Sequence, residues 1–329
     1  MRKKLFIDMP PLARLWLMIG LASVLAMTVQ AAPTVIQISA GTDHTLFVES
    51  DGSLWGMGDE SSGGLGQGFN LSLTNVPIQI IASNVTAVAA GFGHSLFRET
   101  DGSLWGMGEN DHGELGDSTN VNHYFPEQLI SSGVDKIAAG SHHSLFRTSV
   151  GSKMVTVSLL LMGWNGYGQL GDDSNTNHYN PETIQSTSLF PDKVIAFAGG
   201  YEHSLFVKSN GSLWGMGNND YGELGTDSEP FFETQVEIET NDVTAVAAGG
   251  YNSLFLKSDG GLWVMGRNDR GQLGDNTTTD RYFAEQVGAN VTAIAAGSDF
   301  SLFIKTDGSL WGMGSNDAGQ LGDGTETDH

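Results

Sequence analysis

A β-propeller is the fold class the sequence predicts, and three observations predict it. The first is repetition. The segment HSLFRETDGSLWGMGENDHGELGD, beginning at His94, recurs in recognisable form six times. Its anchoring tryptophan stands at Trp55, Trp105, Trp214, Trp263 and Trp311, with Leu160 in the third copy, at spacings of 50, 55, 54, 49 and 48 residues. A fixed period of this length means one supersecondary unit, repeated and stacked. The second observation is content: each copy reads as four short strands with no convincing amphipathic helix, which suits a propeller blade. The third is turn chemistry: Asp-Gly pairs between strands imply antiparallel hairpins. A parallel β-helix or open solenoid is the competing architecture, but its turns are usually shorter than this period and do not need such hairpins.

The second copy justifies the elements in order. Val85 to Gly91 is β-branched, then small, as suits the strand nearest the axis, where blades crowd. Variants of this small-residue ending recur at Ser39-Ala40-Gly41, Ala139-Gly140, Ala198-Gly199-Gly200, Ala247-Ala248-Gly249 and Ala295-Ala296-Gly297. Ser95 to Arg98 is a short apolar strand, and Asp101-Gly102 turns the chain into its partner, Ser103 to Gly108. Side chains alternate along a strand, so Trp105 and Met107 share one face and Leu104, Gly106 and Gly108 the other. One face is bulky and the other nearly bare, so bulky residues should lie over a neighbouring unit's glycines. Asn110 to Gly113 is a turn cluster, and Glu114 to Gly116 and Pro126 to Ile130 supply further strand. The third copy is irregular: Val150 to Ser158 replaces the Asp-Gly turn, as a lengthened hairpin or a degenerate blade. The pairs Tyr124-Phe125, Phe231-Phe232 and Tyr282-Phe283 precede the outer strand and are expected to pack between blades.

Taken together, the Ala-x-Gly-x-x-His stretch, the Asp-Gly-x-Leu-Trp-Gly turn and strand, and the Asn-Asp-x-Gly-Gln-Leu-Gly signature resemble the regulator of chromosome condensation repeat family. The signature stands as Asn268 to Gly274 and Asn316 to Gly322. The resemblance covers essentially everything after the N-terminal segment, and Kelch repeats of similar period match less well. It implies a propeller of typically seven blades, whereas six units are recognisable. The last unit stops at Glu326-Thr327-Asp328-His329, where Asn122-His123-Tyr124-Phe125-Pro126 leads on into another strand in the second copy. A truncated chain is therefore expected, with bare sheet edges if the ring does not close.

Composition bounds the function. The 329 residues include 45 glycines, 8 prolines and no cysteine, so disulfides contribute nothing. Fifteen basic and 38 acidic residues give a formal charge of −23. The N-terminus reads as an export signal: basic Arg2, Lys3 and Lys4, an apolar run from Leu15 to Val29, then Val29-Gln30-Ala31 suited to cleavage. The expected organisation is a signal peptide at 1–31 and a propeller at 33–329, secreted or held in the cell envelope. The apolar run is short for a membrane span. Without residues 1–31 the chain holds 11 basic and 37 acidic residues, a charge of −26. Such a charge repels phosphate backbones and anionic lipid heads, which argues against nucleic acid as a partner.

Most of the repeated residues answer to the scaffold. His44, His94, His143 and His203 share one repeat position, but Asn252 and Phe300 occupy it later. Asparagine suits a hydrogen-bonding tie between strand and neighbouring turn, and phenylalanine argues against a ligand ring. Asp111, Asp117, Asp172, Asp173, Asp269, Asp275, Asp317 and Asp323 lie in oxygen-rich turns of a kind that can hold calcium. No twelve-residue calcium loop appears, and Asp favours turns anyway. No cofactor and no metal is therefore assigned. The tryptophans, recurring beside Met, read as blade core rather than a sugar platform.

The copies differ most at the two residues within Ala-x-Gly-x-x-His: Thr42-Asp43, Phe92-Gly93, Ser141-His142, Tyr201-Glu202, Gly250-Tyr251 and Ser298-Asp299. Repeat geometry brings this loop to one face of every blade. Aromatics with interspersed acids suit protein binding, so Asp43, Phe92, His142, Tyr201, Glu202, Tyr251 and Asp299 are the candidate partner-binding residues. The bland alternative is that these residues only cover the central tunnel. No nucleophile elbow, phosphate loop or zinc motif is visible, so the chain is not expected to be an enzyme. The expected function is a protein-binding module, monomeric if the ring closes. The alternatives are a structural segment of a larger surface protein, a secreted inhibitor like the family's β-lactamase-inhibiting propeller, or an enzyme acting on glycans, which would need a carboxylate pair in a pocket.

Overall fold

The computed structural model describes residues 32–68, 73–150, 156–187 and 193–329, and the signal-peptide assignment at 1–31 lies outside them. Residues 35–329 form one all-β unit of six antiparallel sheets. Blade 1 spans 35–81, blade 2 85–130, blade 3 134–187, blade 4 194–239, blade 5 243–288 and blade 6 291–314. Blades 1 to 5 are four-stranded with neighbouring strands consecutive in sequence; blade 6 has three strands. In blade 2 the strands are Val85–Ala90, His94–Glu99, Leu104–Gly108 and His123–Ile130. First strands of successive blades pack on one another, which makes them the innermost. This is the expected propeller, with its hairpins where the Asp-Gly pairs predicted them.

The apolar core lies between blades rather than within them. Trp105 stacks on Phe97 with ring centroids 6.0 Å apart, and both belong, with Met107, to a cluster built on Leu46, Leu54 and Leu65 of blade 1. The opposite face of blade 2 gives Leu96, Leu104 and Leu115 to a cluster with Phe146 and Met162 of blade 3. The arrangement repeats at every interface, and burying one such side chain contributes about 1.5–3 kcal/mol. The expected seat of the bulky residues needs correction. A Cβ at strand residue Gly106 would strike its own blade's Leu96, Leu115 and Leu129. The methionine of the following blade lies instead over a loop glycine: Met162 Sδ covers Gly116, whose φ is +63°. Strand glycines make room for the blade's own leucines, and loop glycines receive the neighbour.

The repeated histidines make hydrogen-bonding ties, as expected, but to a strand of the next blade rather than to a neighbouring turn. His94 Nε2 lies 3.0 Å from Ser144 Oγ of blade 3, and Ser144 Oγ in turn donates to the Glu114 carbonyl of blade 2 at 2.7 Å. His44 with Ser95, His143 with Ser204, and His203 with Ser253 repeat the arrangement at 2.7, 2.8 and 3.0 Å. Because the serine proton goes to a carbonyl, each imidazole donates from Nε2, and burial, which lowers each histidine, keeps it neutral. In blade 5, Asn252 Nδ2 donates to Ser301 Oγ at 3.2 Å. Backbone bonds lace the adjoining loops together: Phe92 N–H to Ser141 O, Ser141 N–H to Gly200 O and Tyr201 N–H to Gly249 O, at 3.0, 3.0 and 3.2 Å.

The sixth blade does not close a ring onto the first. Met57 is half-buried, whereas Met107, Met162, Met216 and Met265 are fully buried. At the other end, Trp311 is 49% exposed and Leu310 66%, and a Cβ at Gly322 would meet nothing within 4 Å. The closed ring on which a monomer was conditional is thus not formed by these six blades. His329 exchanges both backbone bonds with Gly314, as His123 pairs with Gly108 at the start of a fourth strand. The third copy is a lengthened hairpin: strands His143–Val150 and Thr156–Gly163 pair as far as Val150 with Thr156. Of the outer aromatics, Tyr124 covers Gly63 of the preceding blade and Tyr282 donates to the Asp220 carbonyl, but Phe125 and Phe283 are 61% and 59% exposed.

Two predictions follow from the histidine ties. Replacing Ser144 with Ala strips buried partners from His94 and from the Glu114 carbonyl, and should destabilise the fold by about 1–3 kcal/mol. An unchanged denaturant midpoint would show that the tie is energetically idle. Burial also lowers the histidines, from 6.5 to about 4 for His44, His94 and His203 and about 3 for His143. The unfolded chain therefore binds protons that the folded chain cannot, so stability is complete above pH 6.5 and is lost as pH falls toward 4. Glu223, pushed up to about 7 by burial, has the opposite slope, as do Glu60, Glu99, Glu109 and Glu202, which burial also raises, so the histidine share is read by difference from a variant. Melting temperature should drop from pH 7 to pH 5. Replacing His94, His143 and His203 by Asn, as at Asn252, should flatten that drop; an equal drop in the variant would refute the assignment.

Candidate protein-binding face

In each blade, two loops meet on one side of the propeller: the one joining the first two strands, and the one leaving the third strand. A backbone bond holds them together. Glu109 N–H donates to Gly93 O at 2.9 Å, Trp164 N–H to His142 O at 2.8 Å, and Arg267 N–H to Tyr251 O at 2.8 Å. The second loop is itself rigid. Asn110 is fully buried; its Oδ1 accepts from Leu115 N–H at 2.9 Å and its Nδ2 donates to Asp117 at 3.0 Å. Asn165, Asn219, Asn268 and Asn316 accept the same bond, and in blade 1 Glu60 takes the role toward Leu65 and Gln67. The acidic turns close on themselves: Asp117 accepts from Thr119 and pairs with His123 at 2.7 Å. Asp275 does likewise with Thr277 and Arg281.

On this frame the variable residues form a continuous line of rings. Phe92 meets His142 with centroids 5.1 Å apart, His142 meets Tyr201 at 6.1 Å, and Tyr201 meets Tyr251 at 5.6 Å. Four candidates from blades 2 to 5 are thereby brought together. They are half-buried against one another rather than exposed, which corrects the expectation of free aromatics on the turns. Glu202 lies beneath the line, 9% exposed, accepting from Asn218 Nδ2 at 3.0 Å; burial above all, then Asp220, raises its carboxyl. Asp299 pairs with Arg267 at 3.4 Å at the blade 5–6 end. Asp43 is exposed on blade 1, whose loop carries no ring, and it does not join the line.

Sequence reasoning missed the residues contributed by the second loop. Trp164 and His112 flank His142 at 6.1 and 5.8 Å, and Tyr221 meets Tyr251 at 5.5 Å. The Arg267 guanidinium lies 5.6 Å from the Tyr221 ring centre and 5.9 Å from that of Tyr251. A signal was present: the residue after Met-Gly runs Asp59, Glu109, Trp164, Asn218, Arg267, Ser315, as variable as the first loop. The face is acidic beneath its rings. Burial foremost raises Glu109 and Glu223, the latter to about 7, and burial then Glu202 raise Tyr251 to about 12. Among the described residues, no helix is long and apolar enough to cross a membrane.

Known proteins share both the repeat and its stacking. Human WBSCR16 superposes with a TM-score of 0.77 at 23% identity, over 91% of this chain and 81% of that one. Yeast RCC1 (Prp20), solved bound to Kap60, gives 0.75 at 20% identity, over 89% and 73%. In sequence, the Ultraviolet-B receptor UVR8 of Arabidopsis thaliana is 32% identical over 68 residues, which is 21% of this chain and 15% of the receptor. The Regulator of chromosome condensation of Xenopus laevis is 33% identical over 63 residues, 19% of this chain and 15% of that protein. Two profiles of the Regulator of chromosome condensation (RCC1) repeat match, one at residues 101–147, 158–207, 210–256 and 259–304, the other at 35–63, 85–114, 194–223, 243–272 and 291–320. With the repeat matched over more than half its length and present in all six blades, the chain belongs to the Regulator of chromosome condensation (RCC1) repeat family.

Proposed function

We propose that this protein is a non-catalytic binding module that holds a protein partner on the ring-lined face of blades 2 to 5. The observation that carries the reading is the unbroken line Phe92, His142, Tyr201, Tyr251 and Tyr221, ended by Arg267. Aromatic and arginine side chains dominate binding energy at protein interfaces, and rings already packed on one another lose little freedom on binding. The exposed Asp220 beside Tyr221, with Glu109 at the other end of the line, favours a partner that presents basic side chains between apolar ones. One solved relative, yeast RCC1 (Prp20p of Saccharomyces cerevisiae), has protein partners: Gsp1p and histones in one structural study and Kap60 in another. Those partners belong to that protein; the export signal read at residues 1–31 supports a different setting, outside the cytoplasm.

Replacing Phe92, Tyr201 and Tyr251 together by Ala should weaken partner capture from extracellular extract at least about tenfold, since each hot-spot ring contributes upward of 1–2 kcal/mol. Replacing Phe283, exposed on the outer edge, should leave capture intact. Equal capture by a folded triple variant would exclude this face. For export, N-terminal sequencing of the secreted product should begin at Ala32 or Pro33; an intact N-terminus would remove that part of the reading.

A further inference from the structure

Three ligand-bearing side chains converge where blade 2 meets blade 3. His142 Nδ1 stands 3.7 Å from Glu109 Oε1 and 3.7 Å from Glu114 Oε1. The donor atoms of all three lie within 4.8 Å of one another. Glu114 is completely buried, His142 is 18% exposed and Glu109 15%. Neither Glu114 Oε1 nor His142 Nδ1 has a hydrogen-bond partner, although both atoms are buried. A buried carboxylate oxygen without a donor costs free energy that a bound cation would recover.

We infer that Glu109, Glu114 and His142 form a binding site for a divalent transition-metal ion of the zinc type. Tetrahedral ligands at 2.0–2.1 Å from zinc stand about 3.3 Å apart, close to the 3.7 Å that separates His142 Nδ1 from each carboxylate, and the side chains would close on the ion. One imidazole with two carboxylates suits zinc; calcium asks for six to eight oxygens. The fourth position would face the half-exposed loop surface, open to water. The repeat supplies an internal comparison. Equivalent positions at the blade 5–6 interface hold Arg267, Gln272 and Asp299, where arginine provides the positive charge directly. No other interface places a histidine there. The second cluster of this composition, Asp117, His123 and Glu127, reads differently. In blade 5 Arg281 takes the place of His123 between Asp275 and Glu285, so that position is built for an ion pair.

The competing state is an ion-free cluster in which His142 pairs with the two carboxylates, and a zinc titration separates the two. Metal-stripped protein is titrated with zinc chloride by calorimetry, and with cobalt(II) to read the absorption of a tetrahedral site. Saturation at about one equivalent is expected, weakened at least about tenfold by His142→Ala and by Glu109→Gln, with His123→Ala unchanged. Circular dichroism checks that each variant folds, and Glu109→Gln, isosteric in a loop, guards against a folding failure of the other. Absence of zinc uptake by the parent protein would overturn the site. So would uptake that both site variants retain, or uptake that disappears in His123→Ala.

Discussion

The structure depends on a three-member hydrogen-bond relay at the first four blade junctions, with Asn252 in the place of the histidine at the fifth. An imidazole on one blade donates to a serine on the next, and that serine donates back to a loop carbonyl of the first. The imidazole Nε2–H, the serine hydroxyl and the loop carbonyl are paired at once, while Nδ1 of His94, His143 and His203 has no partner. The relay also ties the start of the second strand to the loop after the third, so the two loops of the binding face are fixed from below. Apolar burial between blades supplies most of the stabilisation, but it is tolerant of small slips. The relay is directional, and it sets the register in which one blade sits on the next.

Fixing the loops this way frees their remaining positions for variation. The residues of Gly-x-x-His are held by backbone bonds, so their side chains carry little structural duty and differ from copy to copy. The same holds for the residue after Met-Gly. The rings and carboxylates that accumulate there are supported by neutral histidines below, which add no charge to a face that is already acidic.

Much of the fold was legible in the sequence because its signals are local and repeated six times. The Asp-Gly turns, the alternation in Leu104 to Gly108 and the substitution of His by Asn252 each pointed to what the structure contains. The role of the glycines was misjudged. Alternation tells which face Gly106 lies on, but only packing tells that its own leucines fill that space. The candidate site was half legible. Phe92, His142, Tyr201 and Tyr251 do meet, yet Trp164 and Arg267 reach His142 and Tyr251 from a loop about 22 and 16 residues further along, and Tyr221 reaches Tyr251 from the preceding blade, about 30 residues back. Proximity of that kind arises from a blade's folding back on itself and from the stacking of blades, and no linear spacing rule displays it.

The uncovered faces of blades 1 and 6 bear on how the molecule comes apart. A stack in which each unit touches only its neighbours behaves as a one-dimensional lattice, with stability summed over interfaces. Interior blades are held from two sides and the terminal pair from one. Amide exchange should therefore be graded, fastest at the two ends and slowest in the middle, with fraying that proceeds inward. The ring line and the three-ligand cluster both lie in blades 2 to 5, the part of the lattice that opens last.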